Sequence, residues 1–417
     1  MKLKYSVLLL LLLLLIAIPV ITAQTDSNVG NDPVIQGNSQ KIAFVSKRDG
    51  GPEIYTINDN GAELKKLTAN KGDKSMPCWS PDGSKLLYLL KKGSRYQLWM
   101  INSDGSGQIK FFDECMDDYP PLWSPDGSKI VFTAKYQSKK AAFVVNSDGG
   151  GLARLSAIGS EAFAPSWSWD GSKIMFLQRL KDDMSINLIN PDGTGLQKIM
   201  KDSGTCLTPV WSPDGRKIAY IFKKQKFLGL ESKLYVMNAD GSNIQPMAKV
   251  SQKTDDIDFD DDFYWSPDGK QIAFTKVANI DADVSDGGRP IFRFTYGTYV
   301  IATDGNSDEN QLGTTGSKRA NPVWSSDSTQ VAFLSDSELH VWNLKSKVEN
   351  QIHMDAAAIV LSSIQWSPDG QKIIFAAKNN SFQKSGLFLV NLRGGGVVTK
   401  LTAAGDYSPV WAPSARQ

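Results

Sequence analysis

The densest cluster of chemically capable side chains is an acidic run, Asp255, Asp256, Asp258, Asp260, Asp261 and Asp262. Carboxylates this close repel one another, and the repulsion is relieved by a hard cation such as Ca²⁺, by basic groups of a partner, or by water. The Gly and bidentate Glu of an EF-hand loop are missing, so Ca²⁺ is the only cofactor the run suggests and none is required. Asp117 and Asp118, in a smaller acidic group with Asp113 and Glu114, and Arg289, in the polar stretch Val277 to Phe294, complete the candidate binding residues. Only two histidines exist, His340 and His353, and no G-x-S-x-G elbow, H-E-x-x-H pair or phosphate loop accompanies them. No catalytic residue is therefore assigned. Cys78, Cys115 and Cys206 allow at most one internal disulfide, and their spacing fits no zinc motif.

These residues hang on a repeat. Trp-Ser-Pro-Asp-Gly or a close copy recurs at Trp79, Trp123, Trp167, Trp211, Trp265, Trp324, Trp366 and Trp411, with steps of 44, 44, 44, 54, 59, 42 and 45 residues. A period of about 40–45 residues holding four short strands is that of a propeller blade. After each Ser-Pro-Asp-Gly turn comes an apolar strand, such as Lys129 to Ala134 or Lys217 to Phe222. A variable polar loop, a second strand such as Gln97 to Ile101, an Asn-x-Asp-Gly hairpin turn and a weaker outer strand such as Glu63 to Thr68 follow.

The expected fold is thus all-β, a propeller of eight four-stranded blades over residues 40–417. The first unit begins at Gln40 with its second strand, so the segment Ser408 to Trp411 is expected to complete it and close the ring. The recurring tryptophans are expected to pack between neighbouring sheets, and the Asp of each turn to bond its own turn backbone. His340 aligns with Tyr55, Trp99, Phe143, Tyr235, Tyr299 and Phe388, which predicts a blade-core histidine.

The two kinds of uniform turn fall on one face of such a ring and the variable loops on the other, where recognition is expected. Basic residues such as Lys47, Arg48, Arg95 and Lys140 lie in loops within units, whereas the acidic groups lie in loops that lead to the next inner strand. An acidic mouth inside a basic ring is predicted. Val277 to Phe294 reads as a long polar, mobile loop beside it.

Lys2 and Lys4 precede the apolar run Val7 to Ile21, and Ile21-Thr22-Ala23 offers small residues for cleavage before Gln24. Residues 1–23 are read as a secretory signal and 24–39 as a flexible leader, with an uncleaved anchor as the only membrane attachment. The chain has 46 basic and 44 acidic residues; without Lys2 and Lys4 the counts are equal, which excludes general nucleic-acid binding.

The repeat, clearest as Pro209-Val210-Trp211-Ser212-Pro213-Asp214-Gly215-Arg216-Lys217-Ile218-Ala219-Tyr220, resembles the TolB-type, WD-like β-propeller repeat, and the resemblance runs from Gln40 to Trp411. It implies a periplasmic or secreted, non-enzymatic, monomeric propeller that binds an envelope protein or peptide. The pattern departs from TolB in having eight units where that family has six blades, and in lacking the preceding α/β domain. The repeat also resembles propellers of oligopeptidases and oligogalacturonate lyases. No hydrolase domain is expected after the repeats. The lyases hold a metal through several histidines whereas His340 and His353 are the entire supply here, so a polysaccharide-active enzyme with a glycan ligand is kept as the alternative.

Overall fold

A computed structural model describes residues 39–413 apart from 181–182, 201–204, 227–228, 252–262, 284–290, 306–307, 317–320, 336–337, 353–359, 379–385, 394 and 403–404. Among the described residues the chain forms thirty-two β-strands, and no helix is long and apolar enough to cross a membrane. The signal and most of the leader lie outside the described residues.

The strands fall into antiparallel groups of four in chain order, for example Thr205–Trp211, Lys217–Lys226, Gly229–Asn238 and Gln245–Ser251. The Trp-bearing strand is at one edge of each group and the weak strand at the other. Two neighbouring groups are joined into one eight-stranded sheet by a single bridge, Cys115 to Ala134. The first group takes its Trp-bearing strand from the far end of the chain: Asp406–Trp411 pairs with Lys41–Ser46, with Ile42 opposite Trp411 and Ala43 opposite Val410. Side chains of the last group, Ile374, Ala376, Leu387 and Leu389, pack with Ile42, Phe44 and Tyr55 of the first.

Local chemistry explains the repetition. In the Ser-Pro-Asp-Gly turn the glycine takes a positive φ, 71° at Gly127, which a side chain would strain. Asp126 Oδ1 accepts from Ser124 Oγ at 2.5 Å and from Ser128 N at 3.0 Å. The Ser124 hydroxyl, with the Ser128 amide and hydroxyl, holds the Asp126 carboxyl below the usual carboxylate range although partial burial opposes this. These carboxylates are thus turn residues, as expected. The two central strands of seven groups stack a pair of rings face to face across the ladder, at 5.1–6.5 Å between centroids. His340 is one such ring, 3% exposed, lying on Phe333 with Nδ1 2.8 Å from Glu349 Oε1. In the remaining group Asn187 stands opposite Phe176.

The stretch read as a polar loop at Val277 to Phe294 is mostly a two-stranded ribbon. Gln271–Asp283 pairs with Ile291–Ala302, with Asp281 opposite Arg293 and Asp283 opposite Ile291. Val277, Ile280, Ile291, Phe292, Phe294 and Tyr296 give both arms strong strand propensity, which outweighs the Asp and Gly residues between them.

Candidate functional site

Two surfaces present chemistry. On the face of the variable loops, cations and carboxylates are matched across short distances. Arg48 Nη2 lies 2.6 Å from Asp406 Oδ2, Arg95 Nη1 3.0 Å from Glu114 Oε1, Lys140 Nζ 2.8 Å from Asp118 Oδ2 and Arg179 Nη1 3.6 Å from Glu161 Oε2. Several of these cations also lie over aromatic rings: Arg48 over Tyr55 at 4.8 Å, Lys140 over Tyr119 at 5.0 Å and Arg179 over Phe163 at 5.7 Å. Burial, and then a hydrogen bond to Asp117, push the Tyr96 phenol up.

The predicted acidic mouth within a basic ring is therefore, where described, a set of pairs. Segregated like charges would repel, and the loops place Arg48, Arg95, Lys140 and Arg179 next to carboxylates. Asp117 and Asp118 are brought together with Tyr96 and Lys140. Asp255, Asp256, Asp258, Asp260, Asp261, Asp262 and Arg289 lie outside the described residues, as does His353. Among the described residues no group of three or more His, Cys, Asp or Glu side chains could hold a metal ion. The cysteines are buried and none is in a disulfide, and burial pushes the Cys78 thiol up to about 12.

The second surface lies on the opposite face, where the Trp-Ser-Pro turns of successive groups surround a pocket of about 180 Å³. Its wall is made by seven of the tryptophans and by Ser and Pro residues that follow them, and among the described residues no charged one lines it. Seven of the eight tryptophans are 1–8% exposed and Trp167 is half-buried, so they pack between sheets as predicted, and all but Trp265 also line this pocket.

The indole N–H groups form a relay. Each donates to the carbonyl of the residue that precedes the tryptophan of the previous group: Trp79 to Val410 (3.3 Å), Trp123 to Cys78 (3.4 Å), Trp167 to Leu122 (3.3 Å), Trp265 to Val210 (3.3 Å), Trp324 to Tyr264 (3.0 Å) and Trp366 to Val323 (3.1 Å). At two junctions the relay is broken. Trp211 Nε1 and Trp411 Nε1 are buried without a partner, and there the preceding residue is polar, Ser166 and Gln365 in place of Cys, Leu, Val or Tyr.

Sequence reasoning passed over Ser166, Gln365 and Trp169. The signal was legible in the aligned copies: two polar residues before the tryptophan, and Trp169 where six other turns carry proline.

Antiparallel four-strand groups around a Trp-lined pocket, with the last group packed on the first, define a β-propeller. Residues 20–202, just under half of the chain, match the TolB beta propeller domain family. Over those residues the chain is similar to TolB-type propellers. Comparison with the curated proteins gave no match. Among solved structures, it is similar to the dihydro-heme d1 dehydrogenase NirN in complex with DHE, with a TM-score of 0.62, 11% identity and 92% of this chain and 77% of that one covered. An oligogalacturonate lyase in complex with manganese gives 0.50, 15% identity and coverage of 84% and 86%. TolB from Acinetobacter baumannii gives 0.38, 17% identity and coverage of 78% and 82%. At these identities the first two likenesses show the fold alone.

Proposed function

We propose that this chain is an exported, non-catalytic propeller of eight blades, whose ring is closed by Asp406–Trp411, and that it acts as a scaffold in the periplasm or outside the cell. It binds an envelope protein or peptide through the variable-loop face. The supporting observation is the composition of that face: arginine and lysine over Tyr96, Tyr119, Tyr136 and Phe163, flanked by carboxylates. Aromatic residues and arginine are the side chains that carry most binding energy in protein interfaces. The pairing of Asp406–Trp411 with Lys41–Ser46 supports the closure, because it joins the two ends of the array without an open inner edge.

The test is affinity capture from envelope extract with residues 24–417, beside a folded variant in which Asp258, Asp260, Asp261 and Asp262 are changed to Asn. A protein retained by the parent and lost by the variant supports the scaffold and assigns the acidic run to it. Release of an unsaturated product from oligogalacturonate would overturn the non-catalytic reading. N-terminal sequencing of the exported protein tests the signal: a start at Gln24 is expected, and a start at Met1 would replace export by anchorage.

A further inference from the structure

The pocket of the turn face stands apart from the loops of the proposed scaffold face, and its chemistry is different. Three departures from the repeat meet at one junction. Trp169 replaces proline and is 43% exposed, in a pocket whose other tryptophans are largely buried. Ser166, 6% exposed, has a buried hydroxyl without a hydrogen-bond partner. Trp211, 7% exposed, has the partnerless N–H already described, and all three line the pocket. Gln365, 2% exposed, lines it at the other broken junction, next to Trp411.

Leaving a buried donor and a buried hydroxyl unpaired is costly, so a ligand that satisfies them is favoured over an empty wall. A purely apolar occupant would leave both unpaired. A charged one would lose its hydration where no countercharge lines the wall. A neutral hydroxyl group donates and accepts at once, and so answers an N–H and an Oγ together. The exposed Trp169 indole supplies the electron-rich face on which the polarised C–H groups of a sugar ring stack. At about 180 Å³ the pocket is smaller than the sites that enclose drug-sized molecules, which suits the end of a chain of rings rather than a long segment of one.

We propose that the turn-face pocket binds the terminal residues of an uncharged glycan, with Trp169 as stacking platform and the Ser166–Trp211 junction as its hydrogen-bonding wall.

The test uses the chain of residues 24–417 and titration calorimetry with cellohexaose and maltohexaose as neutral probes, trigalacturonate as the acidic one and an acetylated, amidated proline hexapeptide as the peptide. Trp169→Pro installs the residue that six other turns already carry, and Trp169→Gln serves as a second variant should the first alter the unfolding midpoint. The expected result is saturable binding of at least one neutral oligosaccharide, weakened at least tenfold by Trp169→Pro and severalfold by Ser166→Ala and by Trp211→Phe. Trigalacturonate and the peptide should not bind. The proposal is overturned if neither neutral probe saturates, if the Trp169 variants bind as the parent does, or if the peptide or trigalacturonate is preferred. Its failure would leave the scaffold reading untouched, since that is read from protein capture through the other face.

Discussion

The broken relay gives a matched pair of substitutions in which packing cancels and hydrogen bonding does not. Trp324 and Trp211 occupy the same repeat position and are 8% and 7% exposed, but Trp324 Nε1 donates to the Tyr264 carbonyl at 3.0 Å whereas Trp211 Nε1 has no partner. Replacing either by phenylalanine removes similar apolar surface and leaves a similar void. Trp324→Phe also loses a hydrogen bond with a net worth of about 0.5–1.5 kcal/mol. Trp211→Phe instead removes a buried, unsatisfied donor, and so recovers about 1–3 kcal/mol. Trp324→Phe should therefore be less stable than Trp211→Phe by about 3 kcal/mol, the middle of the summed range of about 1.5–4.5 kcal/mol. Urea unfolding followed by circular dichroism measures the difference through the midpoint, provided that the slope is the same for both variants. Equal losses, or a larger loss at Trp211, would mean that the Trp211 N–H is bonded in the free protein, and would remove one support of the glycan pocket as well.

Other consequences follow from the buried charges and thiols. Arg48→Ala strands the Asp406 carboxylate, whose side chain is fully buried, and should cost about 3 kcal/mol in chemical unfolding; adding Asp406→Asn should recover part of that, and no recovery would show that the pair is not the cause. Cys78, Cys115 and Cys206 are buried, and burial raises the thiols of Cys78 and Cys115, so a thiol reagent at mildly alkaline pH should leave the folded protein unmodified and label all three after unfolding. Stoichiometric labelling of the native chain would contradict the burial. The turn carboxylates of Asp126 and Asp170 titrate lower in the folded than in the unfolded chain, chiefly through the hydroxyls of Ser124 and Ser168. Their contribution is complete above the unfolded value of about 4 and is lost as pH falls through the folded value. Asp126→Asn with Asp170→Asn should flatten the decline of stability with acid below about pH 4, and an unchanged slope would refute the turn assignment.

The repeat was legible because its turns leave little choice. Asp and Gly at fixed offsets place Lys129, Lys173 and Lys217 at the start of a strand or next to it, and alternation then predicts which side chains face a neighbouring sheet. Strand ends were less legible. Lys217 to Phe222 extends to Lys226 because the opposing arm Gly229–Asn238 continues the ladder through polar residues, and Glu63 to Thr68 shrinks to Lys65–Lys66 because the outer strand is held on one side alone. The pairing of charges on the variable face was illegible for a related reason. Sequence assigns Asp118 and Lys140 to different loops, and only the fold sets them 2.8 Å apart.

That pairing bears on where recognition should be sought in a repeat fold. Irregular loops attract attention because they differ between copies, but difference alone does not separate a binding residue from one that neutralises its neighbour. In the uniform turns the repeat itself supplies the control. Six junctions show how a tryptophan N–H is satisfied, so the two that fail, at Ser166 and Gln365, are deviations from a known arrangement. Trp169 breaks the same pattern at the same junction, in a position where proline makes an equivalent turn. An exposed indole and an unpaired donor each cost solubility or stability. The turn face therefore carries a sharper functional signal than its regularity suggests.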